Sequence, residues 1–267
     1  MRRNAAVAGQ FYHGSRDRLK EQVEEYIDRD APAEEVIGIV SPHAGLMYSG
    51  HVAGAVFSSV RMPHTFIMLG PNHTGLGSAI SVMDSGQWAI PTGVFTINSR
   101  LASRIALNCD KVTRDPRAHM FEHSLEVQLP FIASYSTDTQ IVPIALLSAS
   151  LEDCLSLAGA IAQAIRTADY RVVILASSDM SHYLPDTQAR AQDKKAIDRI
   201  LAMDPEGLYG TVRRERISMC GYLPVTVMLA AAKLLGAGSA RVIKYATSGE
   251  VSGDYDSVVG YAGIIVK

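Results

Sequence analysis

Three histidines follow apolar runs of strand length, and their imidazoles could meet to bind a metal ion or to move protons. His43 comes after VIGIVSP, His73 after TFIMLGPN and His182 after VVILASSDMS. In open α/β sheets the ligand site lies outside the carboxyl ends of the strands. Each histidine taken alone fits a surface or capping role, but their shared placement predicts that they gather at one edge of a sheet.

Cys220 is a second candidate for chemistry because it lies just before a predicted helix. Pro224 follows it closely, and proline favours the first turn of a helix. The partial positive charge at a helix N-terminus lowers a thiol pKa, so this cysteine could be a nucleophile or a metal ligand. The alternative is a small buried hydrophobe.

Acidic and imidazole side chains also occur together in the segment HMFEHSLEVQLPF. If this segment is helical, its apolar residues share one face, whereas Glu122, His123 and Glu126 fall elsewhere. These side chains could line a substrate pocket, or they could form an ordinary solvated face.

The elements that must position these residues alternate between strand and helix. Helical patterns fall between apolar runs of strand length, which cover residues 36–40, 65–69, 79–83, 94–97, 140–146, 172–176, 241–246 and 258–266. Several runs are continuously apolar and β-branched, which is typical of strands covered on both faces. The alternation predicts an α/β fold with a mainly parallel central sheet flanked by helices. The runs 79–83 and 94–97 could form an antiparallel excursion around Pro91 and Gly93.

The composition is that of a folded globular chain. Of 267 residues 48% are apolar and 19% charged, and we expect a single domain over residues 1–267. Twenty-five basic and 27 acidic residues give a net charge of −2, so nothing favours nucleic acid or a membrane surface as a partner.

The cysteine count and the lengths of the apolar stretches indicate the cellular compartment of the protein. Three cysteines, at 109, 154 and 220, form neither a disulfide framework nor a zinc motif and favour a reducing compartment. The apolar stretch after Arg2-Arg3 is too short for a secretory signal, and residues 225–235 are too few to span a membrane. We therefore expect a cytoplasmic protein.

Seven motifs occur in order over nearly the whole chain and together resemble the MEMO family, known in prokaryotes as AmmeMemoRadiSam system protein B. They are AVAGQFY (6–12), SPHAGLMYSG (41–50), LGPNHTG (69–75), EHSLEVQLPF (122–131), SSDMSH (177–182), SMCGYLPV (218–225) and SGDYDSVVGYAG (252–263). Two positions depart from the family pattern: Leu46 replaces an aromatic residue and His13 replaces a proline.

The resemblance implies a fold related to the class III, LigB-like extradiol dioxygenases, in which two histidines and a glutamate hold Fe(II). Carried over to this chain, the metal ligands look like His43, His73 and Cys220. His182 looks like the acid/base histidine, with Asp179 beside it as a second catalytic residue. A thiolate in place of a carboxylate suits copper or zinc as well as iron.

Three functions stay open at this point. The first is a metal-dependent oxidoreductase, with Fe(II) or copper on the two histidines and the cysteine. The second is a non-catalytic module that binds a peptide or an anion, since eukaryotic members of the family have been linked to phosphotyrosine-peptide binding. The third is a zinc hydrolase in which His182 or Glu122 is the base. The resemblance also implies radical-SAM and AMMECR1-like partner proteins. No residue pattern identifies a small-molecule substrate.

Overall fold

A computed structural model describes residues 1–267 and shows an α/β architecture. The helices are α1 (Arg16–Glu24), α2 (Leu46–Ser58), α3 (Ser99–Asn108), α4 (Leu129–Tyr135), α5 (Leu151–Arg166), α6 (Asp186–Leu201), α7 (Pro205–Glu215), α8 (Tyr222–Leu234) and α9 (Gly249–Ser252). The strands are β1 (Arg2–Asn4), β2 (Gly38–Ser41), β3 (Thr65–Pro71), β4 (Ile80–Val82), β5 (Gln87–Ile90), β6 (Gly93–Thr96), β7 (Thr113–Arg114), β8 (Gln140–Leu146), β9 (Val172–Ser177), β10 (His182–Leu184), β11 (Ala240–Thr247) and β12 (Val258–Val266).

The main sheet is mixed, with a parallel centre. Its strands run in the order β10-β12-β2-β9-β3-β8-β4-β7, and β11 also pairs with β12. The four central strands, β2, β9, β3 and β8, are parallel to one another, whereas β12 and β4 join them in antiparallel fashion. The prediction of an α/β fold is therefore confirmed, and the parallel part of the sheet is its centre.

The central strands are buried along their whole length because helices flank the sheet. Every residue of β2 and of β3 is buried, which explains their continuous apolar sequence. A Cβ at Gly38 in β2 would meet the side chain of Met228 in α8, and one at Gly263 in β12 would meet Val56 in α2. The two helices thus pack directly on the sheet. No helix is both long enough and apolar enough to cross a membrane.

One local prediction was confirmed in part and another was wrong. An antiparallel pair turns around Pro91 and Gly93, but it is formed by β5 and β6, in a separate three-stranded sheet with β1, whereas β4 joins the main sheet beside β8. The segment around Glu122 is not a continuous helix but two short 3-10 turns followed by α4. Its carboxylates accept hydrogen bonds from backbone N–H groups of this loop and of other loops, and these bonds stabilise a non-helical path. Phe121, which a helix would have packed with the other apolar residues, is exposed.

Candidate metal centre

Three histidines lie together at the carboxyl ends of the central strands. His43 follows β2, His73 follows β3, and His123 lies in the loop before α4. One ring nitrogen from each lies within 4.8 Å of the others. Strand-end placement accounts for the first two positions, whereas His123 enters from a loop that the sequence presents as a helix.

The ring planes of these histidines describe how the cluster is arranged. His43 and His73 meet edge to face, with centroids 5.3 Å apart and planes at 71°. His73 and His123 stack, with centroids 4.7 Å apart and planes at 24°. The lone pair of an imidazole nitrogen lies in the ring plane. Two nearly parallel rings at this separation can lie side by side around one ion, so His43, His73 and His123 can all direct a lone pair at a common point.

The hydrogen bonds of His43 fix its tautomer. The hydroxyl of Ser177 donates to the carbonyl of Ser124 at 2.7 Å and accepts from the side-chain amide of Gln128 at 3.0 Å. Its remaining lone pair faces Nδ1 of His43 at 2.8 Å, so that nitrogen carries the proton. The free lone pair of His43 is consequently on Nε2. Burial, followed by the nearby rings of His123 and His73, lowers the pKa of His43 and favours this neutral form.

Glu122 performs the same task for His73. Nδ1 of His73 donates to Oε1 of Glu122 at 2.9 Å, and the backbone N–H of His73 donates to Oε2 at 2.5 Å. Burial opposes ionisation of this carboxyl, but the hydrogen bond and charge of His73 and the N–H of Ser124 outweigh it and lower the pKa of Glu122 to about 2. The ionised carboxylate leaves the His73 lone pair on Nε2, as in carboxylate–histidine–metal arrangements.

Glu122 and His123 therefore have different surroundings, although the sequence predicts both in the substrate pocket. His123 does line the pocket, and its Nδ1 lies 3.3 Å from Oε1 of Glu122. Glu122 is 1% exposed and lies beneath His73, outside the pocket wall. Its backbone is held by Arg3, which donates to the Glu122 carbonyl at 2.7 Å. Glu122 thus supports a histidine of the cluster from outside the residues that line the pocket.

Cys220 lies against His43 but outside the group of three histidines. Its Sγ is 3.2 Å from Nε2 of His43. Gly221 makes this approach possible, because a Cβ there would lie 2.3 Å from the Ser177 carbonyl oxygen at the end of β9. The cysteine precedes α8, as predicted, but the expected lowering of its pKa is wrong. Burial, and then the charge of Asp179, raise the pKa of the Cys220 thiol and outweigh the helix terminus.

Asp179 and His182 line the pocket, but the expected contact between them is absent. Asp179 accepts from the backbone N–H of His43 at 2.7 Å, and burial raises its pKa. His182 instead donates from Nδ1 to the carbonyl of Ser218 at 2.9 Å, and its backbone N–H donates to Ser218 Oγ at 2.8 Å. Since a carbonyl only accepts, Nδ1 carries the proton and Nε2 is the basic nitrogen.

The pocket over this cluster has a volume of about 620 Å³, which is the size of a small-molecule site. His43, His73, His123, Asp179 and His182 are among the residues that line it. Aromatic side chains form part of its wall: Phe11, Tyr48, Tyr183 and Tyr261. Tyr183 has a left-handed backbone (φ 59°) and is 78% exposed. Such a conformation is uncommon outside glycine and is concentrated at functional sites.

Sequence reasoning missed the groups that orient the histidines. Ser177, Gln128 and Ser218 all lie within the seven quoted motifs, yet none has a residue type that indicates a site. Their roles depend on contacts between residues 36 to 134 positions apart in the chain. Motif membership was the one signal available for them.

The fold and site define an α/β protein with a histidine cluster at the carboxyl edge of its parallel strands. Residues 3–265 match the family described as Memo-like protein. The chain is 40% identical over 281 residues to a MEMO1 family protein of Methanopyrus kandleri, covering 100% of this chain and 99% of that protein. It is 39% identical to a MEMO1 family protein of Methanothermobacter thermautotrophicus, with coverage of 98% and 99%. The chain therefore belongs to the MEMO family.

A solved structure supports the fold independently. The crystal structure of an uncharacterized protein from Escherichia coli K12 superposes with a TM-score of 0.58 at 14% identity, over 86% of this chain and 100% of that one. At this identity the likeness concerns the fold alone.

Proposed function

We propose that this MEMO-family protein is a metal-dependent oxidoreductase, with Fe(II) held by His43, His73 and Cys220. The observation that carries the proposal is the pair of histidines with fixed tautomers. Both present Nε2 as the free nitrogen, and their ring planes cross at 71°. Two imidazoles prepared in this way, with His43 buried and the side chain of His73 35% exposed, suit a transition metal better than they suit a peptide or a simple anion, which need N–H donors.

The distance from Cys220 to His43 fits a shared ion, but Cys220 lies outside the group of donors that are all within 4.8 Å of one another, so its thiol would have to move toward His73. At distances typical of zinc, about 2.0–2.1 Å for nitrogen and 2.3 Å for sulfur, two donors lie roughly 3.1–3.6 Å apart when the angle at the ion is between 90° and 110°. Sγ of Cys220 and Nε2 of His43 are 3.2 Å apart. His123 is the competing third donor because one of its ring nitrogens completes the histidine group.

A bound Fe(II) would supply redox and Lewis-acid chemistry at an open coordination position. The chain's own residues would then bind and orient the substrate and move its proton. His182 accepts a proton at Nε2, because Ser218 holds the other nitrogen protonated. The buried carboxylate of Asp179 accepts a hydrogen bond from the backbone N–H of His43 and so fixes the loop that carries His43. The aromatic wall excludes water from one side of a substrate that lies over the cluster.

Anaerobic metal analysis of freshly purified protein tests this function. Iron at one equivalent per chain supports the oxidoreductase. Zinc at one equivalent would favour the hydrolase instead, and the absence of metal binding at any pH would favour a binding module. Copper at one equivalent would keep the redox proposal and change its metal. The radical-SAM and AMMECR1-like partners stay predictions that rest on the family resemblance.

A further inference from the structure

A second cavity, here called the rear cavity, lies behind the histidine cluster. Its volume is about 290 Å³, and Cys220, His73, Ser148 and Arg213 are among its lining residues. His73 is the one residue that it shares with the substrate pocket. Cys220 lines the rear cavity and not the substrate pocket. His73 thus lies between the two spaces, and Cys220 borders the second.

The two spaces differ in charge. Asp179 and Asp254 line the substrate pocket. The rear cavity has no acidic lining residue and has one permanent cation, Arg213. This guanidinium donates to the hydroxyl of Tyr209 at 2.9 Å and lies 5.3 Å from the centre of its ring, which holds it in place. A fixed cation without a carboxylate beside it concentrates small anions at the entrance.

The size of the rear cavity sets the class of molecule that it admits. A water molecule occupies about 30 Å³ of liquid volume, so about 290 Å³ accommodates a small anion together with its first waters. Much of the wall is apolar, including Leu146, Leu147 and Leu223, and offers few specific contacts to a larger ligand. We propose that the rear cavity is a second entrance, through which small anions reach the thiol of Cys220 independently of the substrate pocket.

Alkylation of Cys220 in the full-length, chelator-treated chain tests the proposal. Iodoacetate is the anionic probe and iodoacetamide the neutral one of nearly equal size. In each case an S–C bond forms, the C–I bond breaks, iodide leaves and the thiol proton passes to solvent. Peptide mass spectrometry gives the rate at each cysteine. Cys109 and Cys154, at 2% and 0% exposure, are internal references for buried thiols.

Two matched variants block one space each. Ser148 and Ser257 are both exposed, and they line the rear cavity and the substrate pocket respectively. We expect Ser148→Trp to slow both reagents at Cys220 by about tenfold or more, because reaction of a thiol requires access, and Ser257→Trp to leave the rates within about twofold. We expect Arg213→Gln to slow the labelling of Cys220 by iodoacetate by about two- to threefold and to leave its labelling by iodoacetamide unchanged.

Three results would overturn the proposal. They are slowing by Ser257→Trp in place of Ser148→Trp, wild-type labelling of Cys220 as slow as that of Cys154, and an equal effect of Arg213→Gln on both reagents. Because the rates are measured without metal, they do not depend on the proposed metal function. A protein that binds no metal could still show the entrance, and a metal protein could lack it.

Discussion

The carboxylate of Glu122 holds His73 at two points, accepting from Nδ1 at 2.9 Å and from the backbone N–H at 2.5 Å. These two hydrogen bonds fix both the position and the tautomer of the His73 ring. We expect Glu122→Gln to weaken metal binding by about 10–100-fold, the usual effect of losing such an outer partner. Anaerobic Fe(II) titration measures it. An unchanged affinity in a folded variant would show that the carboxylate has no part in the site.

The same carboxylate gives a pH dependence to stability. The pKa of Glu122 is depressed from its ordinary 4.5 to about 2 in the folded chain. Its stabilising contribution is therefore present above about 4.5 and is lost as the pH falls toward about 2. As the pH falls through this range, urea unfolding should show that the free energy of unfolding decreases more steeply in wild type than in Glu122→Gln. Parallel pH profiles for the two proteins would contradict the assignment.

His182 should affect proton transfer and not metal binding. Its Nδ1 is occupied by the Ser218 carbonyl, and it lines the pocket to one side of the ligand set. We expect His182→Ala to change Fe(II) affinity by less than about threefold, well below the 10–100-fold cost of losing a support of a ligand. A loss of Fe(II) affinity as large as that in His43→Ala would show that His182 is itself a metal ligand.

Ser177 should stabilise the protein as well as orient His43. Ser177→Ala leaves Nδ1 of His43 and one amide hydrogen of Gln128 without their buried acceptor. Each such group costs about 1–3 kcal/mol, so the free energy of unfolding should fall by at least that amount. Ser59→Ala is the control, because its hydroxyl bonds within one helix turn. Equal losses in the two variants would argue against the special role of Ser177.

A buried ion pair ties the N-terminal segment to the loop that holds Glu122. Nη1 of Arg3 donates to Glu126 at 2.6 Å, and both side chains are 0% exposed. Arg3→Met should cost about 3–5 kcal/mol of unfolding free energy, because it leaves the Glu126 charge buried without its cation. Adding Glu126→Leu should recover part of this loss. No recovery would mean that Glu126 is stabilised mainly by its other donors, the N–H groups of Ala6 and Val7 and the hydroxyl of Tyr12.

Much of the fold could be predicted from the sequence because buried parallel strands have a local signature. Two strands, β8 and β12, have the predicted bounds of 140–146 and 258–266. The loop around Glu122 could not be predicted in this way. Its apolar spacing is that of a helix, but its path is set by carboxylates that bind distant backbone groups. The pKa of Cys220 was predicted in the wrong direction because burial, which local sequence does not reveal, outweighs the helix terminus.

The most direct test of the metal centre is an anaerobic Fe(II) titration of wild type, His43→Ala, His73→Ala, Cys220→Ser and His123→Ala. His13→Ala is the control, because it removes an exposed imidazole that does not line the pocket over the cluster. We predict one ion per chain in wild type, His13→Ala and His123→Ala, and affinity reduced by more than about 100-fold in the other three, beyond the loss expected for an outer partner. Binding by His43→Ala and His73→Ala equal to that of His13→Ala would contradict the proposed centre.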